Sequence, residues 1–162
     1  VIIRPPLVYG PGVSGNFLRM ITTLDKKIPL PLKSLTENRR SLVSVNNLVS
    51  LILTCVMHPS AGGHIFLVSD GNDLSTAELC LKLRGMLDKQ AILLPCPSWF
   101  LDGIACFLKK KEAMRRLTSS LQVDMSKSQQ LLNWSPIEHV DDALQKTVRE
   151  YIDSKRTGAI LV

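Results

Sequence analysis

Three glycines near the start of the chain have a spacing that could serve a dinucleotide. Gly10, Gly12 and Gly15 form the pattern G-x-G-x-x-G between a predicted strand and a predicted helix, which is where such a loop holds a pyrophosphate against helix amides. However, Pro5, Pro6 and further residues separate the strand from Gly10, and no acidic residue follows a second strand about 20 residues later. The sequence therefore favours a rigid turn over a dinucleotide loop.

Catalytic and metal-binding motifs are not evident elsewhere in the sequence. The histidines, His58, His64 and His139, are far apart, and none lies beside Glu or Cys at metal-ligand spacing. We therefore expect surface or packed histidines and no metal site. The sequence also lacks a nucleophile elbow, an HExxH pair and a P-loop. We expect neither Tyr9 nor Tyr151 to have a lysine partner four residues later, and we assign no catalytic residue.

Basic residues outnumber acidic residues, 20 to 14, which gives a net charge of +6 and favours an anionic partner. The densest basic cluster comprises residues 109–111 with Arg115 and Arg116. It is compatible with a solvated helix face, with contact from one arginine to a pyrophosphate, or with nucleic acid. Because aromatic residues are only 5% of the chain and no recognition helix accompanies the cluster, we expect no nucleic-acid partner.

Size and composition indicate one globular unit of 162 residues, 45% hydrophobic and 21% charged. Four scattered cysteines, at positions 55, 80, 96 and 106, are typical of buried small hydrophobes in a reducing cytosol, so we expect a cytoplasmic protein. The apolar runs 48–57 and 91–108 are too short or are interrupted by proline, and no membrane span is predicted. Because the chain opens on Val1-Ile2-Ile3-Arg4, as if within a strand, we expect a piece of a longer protein.

The predicted elements alternate between strand and helix, which is typical of an α/β fold. Strands are predicted at 1–4, 41–45, 64–69, 91–94 and 121–124. Helices are predicted at 16–27, 47–57, 99–108 and 126–132, with two more starting at Ser75 and Asp141. Prolines and glycines between residues 5 and 15 predict a rigid loop without a strand.

Two sequence patterns predict capping boxes, Ser75-x-x-Glu78 and Ser126-x-x-Gln129. In each pattern, the serine hydroxyl would accept a hydrogen bond from a helix amide. The side chain of the fourth residue would accept a hydrogen bond from the backbone amide of the serine.

Asn46 and Asp141 are expected to cap two further helices. The helix after Asn46 is apolar on nearly every side, which predicts that it is buried.

One segment resembles a known family. Arg4-Pro-Pro-Leu-Val-Tyr-Gly-Pro-Gly12 is similar to the RxxxxYGPG segment of the NAD(P)-dependent nucleotide-sugar epimerase/dehydratase family, the extended short-chain dehydrogenases/reductases. Further blocks that resemble the family follow in family order, at residues 16–18, 28–32, 40–48, 124–127 and 132–136. The chain is most similar to the UDP-sugar 4-epimerases and 4-ketoreductases of bacterial polysaccharide synthesis.

Members of this family are roughly double this length. The resemblance implies that the chain is their C-terminal half: the last strands of the Rossmann sheet and a small mixed α/β substrate domain, forming one region over 1–162. The glycine-rich loop for NAD or NADP, the catalytic Ser/Thr and the Tyr-x-x-x-Lys pair belong to the other half of the family. The isolated chain is therefore expected to be inactive.

The resemblance also implies a role in cofactor binding for the segment after the first strand. Pro5, Pro6 and Val8 would line the nicotinamide end of the cofactor site, largely through their backbone. Asn16 would contact the substrate diphosphate at a helix N-terminus, where amide groups favour anions.

Other residues are implied to contact the UDP moiety of the substrate. Arg40 and Arg116 would clamp the diphosphate from opposite sides, with Arg115 as the alternative to Arg116. The uracil would be flanked by Leu30, Pro31 and Leu32.

The implied function is the substrate-binding half of a 4-epimerase that acts on a UDP-hexose or UDP-N-acetylhexosamine, in a protein that is a homodimer at full length. A 4-ketoreductase or dehydratase is the alternative reaction, and a UDP-sugar-binding module without catalysis is the alternative of another class. Leu7 stands where many members carry an Asn that touches the sugar, so the sugar remains open. NAD and NADP also remain open.

Overall fold

The computed structural model of the chain describes residues 1–26, 37–88 and 119–158. The elements are β1 (Ile2–Arg4), β2 (Leu7–Tyr9), α1 (Gly15–Asp25), β3 (Leu42–Ser44), α2 (Val45–Met57), a 3-10 turn (Pro59–Ala61), β4 (Ile65–Leu67), α3 (Thr76–Met86), α4 (Ser126–Leu132) and α5 (Val140–Arg156). This order confirms the predicted α/β class. The elements predicted at 91–94 and 99–108 lie outside the described residues.

The strands form two parallel pairs. β1 pairs with β4, with Ile3 opposite Phe66. β2 pairs with β3, with Val8 opposite Val43. Parallel strands require a crossover between them, and α1 supplies it for β2 and β3. Helix α2 then follows β3 directly and precedes β4.

β2 lies inside the segment predicted to be a loop, so that prediction was wrong for Leu7–Tyr9. Three residues between Pro6 and Gly10 are too few to show a strand periodicity, and their pairing with β3 is what makes them a strand. A glycine is required at position 10 because the backbone there lies close to Val45 of α2. Its φ is 154°, and a Cβ there would lie 2.6 Å from Cγ1 of Val45, so any larger residue would force β2 and α2 apart.

Two hydrophobic cores support these pairs. One lies among α1, α3 and α5 and includes the fully buried Ile21 and Leu144. The other joins Leu51 of α2, Phe66 of β4 and Trp134 after α4. Among the residues that the structure describes, no helix is both long enough and apolar enough to cross a membrane.

The capping box at the start of α3 is confirmed. The Ser75 hydroxyl accepts from the Glu78 amide at 3.1 Å, and the Glu78 carboxylate accepts from the Ser75 amide at 2.7 Å. The second predicted box does not form. Ser126 donates its amide and hydroxyl to Asp124, because Asp124 lies close enough to take these bonds before α4 begins.

The other two predicted caps were also wrong. The hydroxyl of Ser44, not Asn46, accepts from an amide of α2, because β3 runs directly into the helix. His139 is the N-cap of α5, and Asp141 lies in its first turn paired with Lys82 at 2.6 Å. In both helices the cap lies two residues before the predicted residue.

Two further predictions need correction. No strand forms at 121–124, where only Leu121 makes a single bridge, to Arg40. Helix α2 is only partly buried, because the chain covers the side that carries Leu51 and Cys55 and leaves other apolar side chains exposed. Cys55 and Cys80 are buried and free, as predicted; the other two cysteines lie outside the described residues.

The capping difference can be tested with a matched pair of variants. Ser75→Ala should lower the free energy of unfolding by about 1 kcal/mol, because it leaves a helix amide without its acceptor. Ser126→Ala should cost much less, because Ser126 caps no helix. Urea denaturation followed by circular dichroism measures both. Equal losses would contradict the capping assignment.

Candidate functional site

The carboxyl ends of β1 and β2 carry the loops with the predicted ligand residues. Such ends are where parallel α/β sheets bind ligands. Pro5 is exposed and Pro6 is half-buried at the junction of β1 and β2. Val8 is half-buried within β2, and its side chain packs against the second core.

A buried carboxylate holds this end of the β2–β3 pair together. Asp70, in the segment after β4, is only 7% exposed. One of its oxygens accepts from the Tyr9 hydroxyl at 2.6 Å, and the other accepts from the Ser44 amide at 2.8 Å and the Asn47 side-chain amide at 2.7 Å. Three donors compensate for the loss of water around the charge. The ends of β2, β3 and the start of α2 are thereby tied to one group.

Asn47 extends this network to the start of α5. Its side-chain oxygen accepts from the amides of Ile137 and Glu138 at 2.9 and 3.0 Å, and its amide also donates to the Glu138 carbonyl at 2.9 Å. The sequence analysis missed both Asp70 and Asn47. The available signal was a polar residue next to an apolar strand or inside an apolar helix, where burial demands a partner.

Tyr9 is unsuited to acid–base chemistry. Burial of its hydroxyl, and secondly its hydrogen bond to Asp70, raise the pKa of Tyr9 far above the ordinary value. A tyrosine that acts as a base needs a lowered pKa. Its role here is therefore structural.

The sequence does contain the spacing Tyr-x-x-x-Lys, at Tyr151 and Lys155, so the expectation that neither tyrosine has such a partner was wrong. Both residues bind one carboxylate at the end of α1: the Tyr151 hydroxyl donates to Asp25 at 3.1 Å, and the Lys155 ammonium pairs with the same oxygen. Burial is the first cause that raises the pKa of Tyr151. The pair therefore anchors α5 to α1 and is not a poised catalytic couple.

Asn16 lies exposed in the first turn of α1. The residue before this helix, Ser14, makes no capping hydrogen bond with its side chain. The preceding turn is closed by a bond from the Val13 amide to the Gly10 carbonyl at 3.1 Å. The first turn of α1 thus offers amide hydrogens and an amide side chain at a helix end that favours anions.

Arg40 is held from both sides. Its backbone exchanges two hydrogen bonds with Leu74, at 2.9 and 3.0 Å. Its guanidinium donates twice to the carbonyl of Ser119, at 3.2 and 3.1 Å, which leaves further guanidinium hydrogens for a ligand. Burial lowers the pKa of Arg40 from its usual value, but an arginine remains charged.

The neighbouring Arg39 is bound differently. It pairs with Glu78 of the capping box at 2.7 Å, and this pair lies on the surface. The two adjacent arginines therefore differ in partner: a carbonyl for Arg40 and a carboxylate for Arg39.

The predicted substrate residues do not form one cluster within the described residues. Asn16 follows the carboxyl end of β2, whereas Arg40 precedes the amino end of the parallel strand β3, so the two flank opposite ends of this pair. Leu30, Pro31, Leu32, Arg115 and Arg116 lie outside the described residues. Ser119 is the first described residue after the segment that contains Arg116, and it contacts Arg40 directly.

The fold is that of the C-terminal half of an extended short-chain dehydrogenase/reductase, as predicted. Over 154 residues, 95% of its length, the chain is 45% identical to a UDP-glucose 4-epimerase from Vibrio cholerae and covers 47% of that protein. The resemblance to the nucleotide-sugar epimerase family is therefore confirmed. The chain spans about half the length of the curated relatives that it matches. No family model matches the chain.

Solved structures share this fold. The Bordetella bronchiseptica enzyme WbmF, in complex with NAD+ and UDP, matches with a TM-score of 0.65 and 21% identity, over 96% of this chain and 46% of its own. A UDP-glucuronic acid 4-epimerase from Bacillus cereus, in complex with NAD, matches with a TM-score of 0.69 and 18% identity, over 94% and 44%. At these identities the likeness concerns the fold.

The buried network predicts unequal effects of removing the two tyrosine hydroxyls. Tyr9→Phe should lower the free energy of unfolding by about 1.5–3 kcal/mol, because it removes a donor from a buried charge. Tyr151→Phe should cost less, because Lys155 still neutralises Asp25. Thermal and urea denaturation measure the difference. A larger loss for Tyr151→Phe would disprove the central role of Asp70.

Proposed function

We propose that this chain is the substrate-binding half of an NAD(P)-dependent UDP-sugar 4-epimerase that acts on a UDP-hexose or UDP-N-acetylhexosamine. The supporting observation is the 45% identity to a UDP-glucose 4-epimerase over nearly the whole chain. In this proposal residues 1–162 form one substrate-binding region, and an N-terminal nucleotide-binding half completes the enzyme. The whole protein is proposed to be a cytoplasmic homodimer.

The diphosphate of UDP is the ligand part that the described residues fit best. It is an anion with several acceptor oxygens, and arginine guanidinium groups suit such oxygens. Arg40 combines a fixed backbone with spare donors. We assign the diphosphate to Arg40, with Arg116 opposite it and with Leu30, Pro31 and Leu32 beside the uracil. Asn16 lies towards the other end of the β2–β3 pair, and we propose it as a second contact that reaches the ligand from the start of α1.

The cofactor in this proposal is NAD or NADP, held mainly by the other half. When bound, it would supply the capacity for hydride transfer to and from the sugar. The exposed Pro5 and half-buried Pro6 fit the edge of such a site, because prolines present a flat apolar surface and carry no amide hydrogen that needs a partner. Pro5, Pro6 and the backbone of Val8 would exclude water beside the reacting ring.

The residues of this chain orient the substrate but do not move its protons. Both tyrosines donate to carboxylates, and burial raises the pKa of each. We therefore assign the acid–base group to the other half. Leu7, 39% exposed on β2, supplies only apolar contact where a polar side chain would bind a sugar hydroxyl.

Arg40 and Arg39 provide a matched test of the diphosphate site. Arg40→Ala should weaken UDP binding to the chain ten- to a hundredfold, since a charge-assisted hydrogen bond contributes roughly 1.5–3 kcal/mol. Arg39→Ala removes the same charge from the adjacent residue, whose partner is Glu78, and should change the affinity less than twofold. Isothermal titration calorimetry with UDP measures both.

Equal losses of UDP affinity in the two variants would indicate that binding depends on the overall positive charge and not on a specific contact. That result would contradict the assignment of Arg40. Failure of the unsubstituted chain to bind UDP would contradict the proposed substrate site itself.

The isolated chain should be catalytically inactive, because its two tyrosines serve structural roles. Incubation with UDP-glucose, UDP-N-acetylglucosamine and NAD, followed by chromatography, should yield no epimer. Turnover at the rate of a complete epimerase would refute the division of labour between two halves. UDP binding without turnover even in the completed protein would favour a binding module. A 4-keto sugar formed together with an equal amount of NADH, without an epimer, would favour a ketoreductase that runs in reverse.

A further inference from the structure

Two stretches of backbone flank Arg40, one on each side. On the first side, Arg40 exchanges its two backbone hydrogen bonds with Leu74. On the second side lies the segment 119–123, whose Leu121 accepts from the Ser41 amide at 2.8 Å and forms a bridge with Arg40. Arg40 therefore lies in the middle of three neighbouring stretches, and its backbone is fixed by both of them.

The direction of the Arg40 guanidinium depends on the segment 119–123 alone. The guanidinium donates to the Ser119 carbonyl at 3.2 and 3.1 Å and, more weakly, to the Ser119 hydroxyl at 3.5 Å. Among the residues that the structure describes, its partners are thus all atoms of Ser119. An arginine side chain has many rotamers and loses considerable entropy when it is held in one of them. If Ser119 moved, the guanidinium would lose its single support.

Asp73 holds the segment 119–123 in place. One oxygen of this half-buried carboxylate accepts from the Ser41 hydroxyl at 2.6 Å, and the other accepts from the side-chain amide of Gln122 at 2.8 Å. The same Ser41 hydroxyl accepts from the Val123 amide at 2.9 Å. Asp73 is thus connected to the segment twice, directly at Gln122 and through Ser41 at Val123.

The chemistry of a carboxylate suits this connection. An ionised carboxylate only accepts hydrogen bonds, so the Ser41 hydroxyl must donate to Asp73, and its oxygen stays available for the Val123 amide. Ser41 is only 2% exposed, and a hydrogen bond that is shielded from water is stronger than an exposed one. An asparagine at position 73 would keep one acceptor oxygen for Ser41, whereas an alanine would keep none.

We propose that Asp73 is a positioning residue for the diphosphate site, which directs the Arg40 guanidinium by holding Ser119 in place. This inference rests on the proposed function, in which Arg40 binds the diphosphate of UDP. Asp73 itself contacts no ligand in this arrangement. Together with its neighbour Leu74, it fixes both the backbone and the side chain of one arginine. A guanidinium that is held before the ligand arrives loses less entropy on binding.

The first test is a calorimetric titration of the full 162-residue chain with UDP. Asp73→Ala should raise the Kd roughly three- to tenfold, because the guanidinium is present but no longer held in one direction. The loss should be smaller than that caused by Arg40→Ala. Asp73→Asn retains an acceptor for Ser41 and should restore the Kd to within about twofold.

Asp124 provides the matched control for charge. It lies directly after the segment 119–123, and its described partner is Ser126, whose amide and hydroxyl both donate to it. Asp124→Ala removes the same charge and should leave the Kd within about twofold, because loss of a negative charge does not weaken the attraction of an anion. A weaker affinity in Asp73→Ala therefore has the opposite sign from a bulk charge effect.

A double variant separates positioning from general damage to the fold. In the Arg40→Ala background, Asp73→Ala should cause no further loss of UDP affinity, because the residue through which Asp73 acts is absent. Damage to the fold would weaken binding in both backgrounds. Circular dichroism of each variant checks that it is folded under the conditions of the titration.

A spectroscopic measurement follows the guanidinium without any ligand. In an isotope-labelled chain, nuclear magnetic resonance detects the Nε hydrogen of Arg40, which is donated to the Ser119 carbonyl. Asp73→Ala should shift this resonance and accelerate its exchange with water, because the hydrogen bond is no longer maintained. Asp124→Ala should do neither.

Three outcomes would overturn the proposal: unchanged UDP affinity in Asp73→Ala, an equal loss in the Arg40→Ala background, or an unchanged Arg40 resonance in Asp73→Ala. The proposed function fails separately. If the unsubstituted chain does not bind UDP, the substrate site is refuted, and the role of Asp73 in it falls as well. UDP binding that depends on Arg40 but not on Asp73 refutes only the positioning role.

Discussion

The buried carboxylate of Asp70 is the constraint on which the described structure depends. A charge that is nearly inaccessible to water must collect its donors from the protein, and those donors come from β2, from the start of α2 and from the amide between β3 and α2. Because Asn47 also binds the segment before α5, elements distant in sequence meet at one point. Loss of any donor leaves part of a charge unsatisfied, so the network favours a single arrangement of these elements.

This arrangement fixes the positions of the two segments that carry Asn16 and Arg40, the residues proposed to bind the ligand. Tyr9 is held by Asp70, and Gly10 follows it against Val45 with no room for a side chain. The turn from Gly10 to Ser14 therefore leaves the sheet in a fixed direction and delivers Asn16 to the start of α1. On the other side of β3, the double backbone bond to Leu74 and the bonds to Ser119 fix Arg40. Rigid supports of this kind reduce the entropy lost when a ligand binds.

Within the described residues, Tyr9, Asn47 and Asp70 bind one another in the interior, while several apolar side chains of α2 stay exposed. Both tyrosines are engaged with carboxylates, and the chemistry of the proposed enzyme must come from residues outside them. In contrast, Val49, Leu53 and Val56 of α2 are exposed, and within the described residues β1 is paired along one edge only. The surface features thus agree with the length comparison, in which the chain matches about half of each relative.

Local sequence determined the features whose contacts are close in sequence. The capping box of Ser75 and Glu78 was predictable because its four residues contain both donors and both acceptors. Helix α1 and strand β1 were predicted from their apolar residues, and the family resemblance followed from short blocks in order. Tertiary structure decided the rest. Strand β2 exists because β3 lies beside it, and Ser126 bonds to Asp124 because that carboxylate is near. The Asp70 network joins residues up to 91 positions apart, a distance over which no local pattern carries information. The exposure of α2 was equally hidden, because an apolar helix requires a partner but its sequence does not show whether that partner belongs to the same fold.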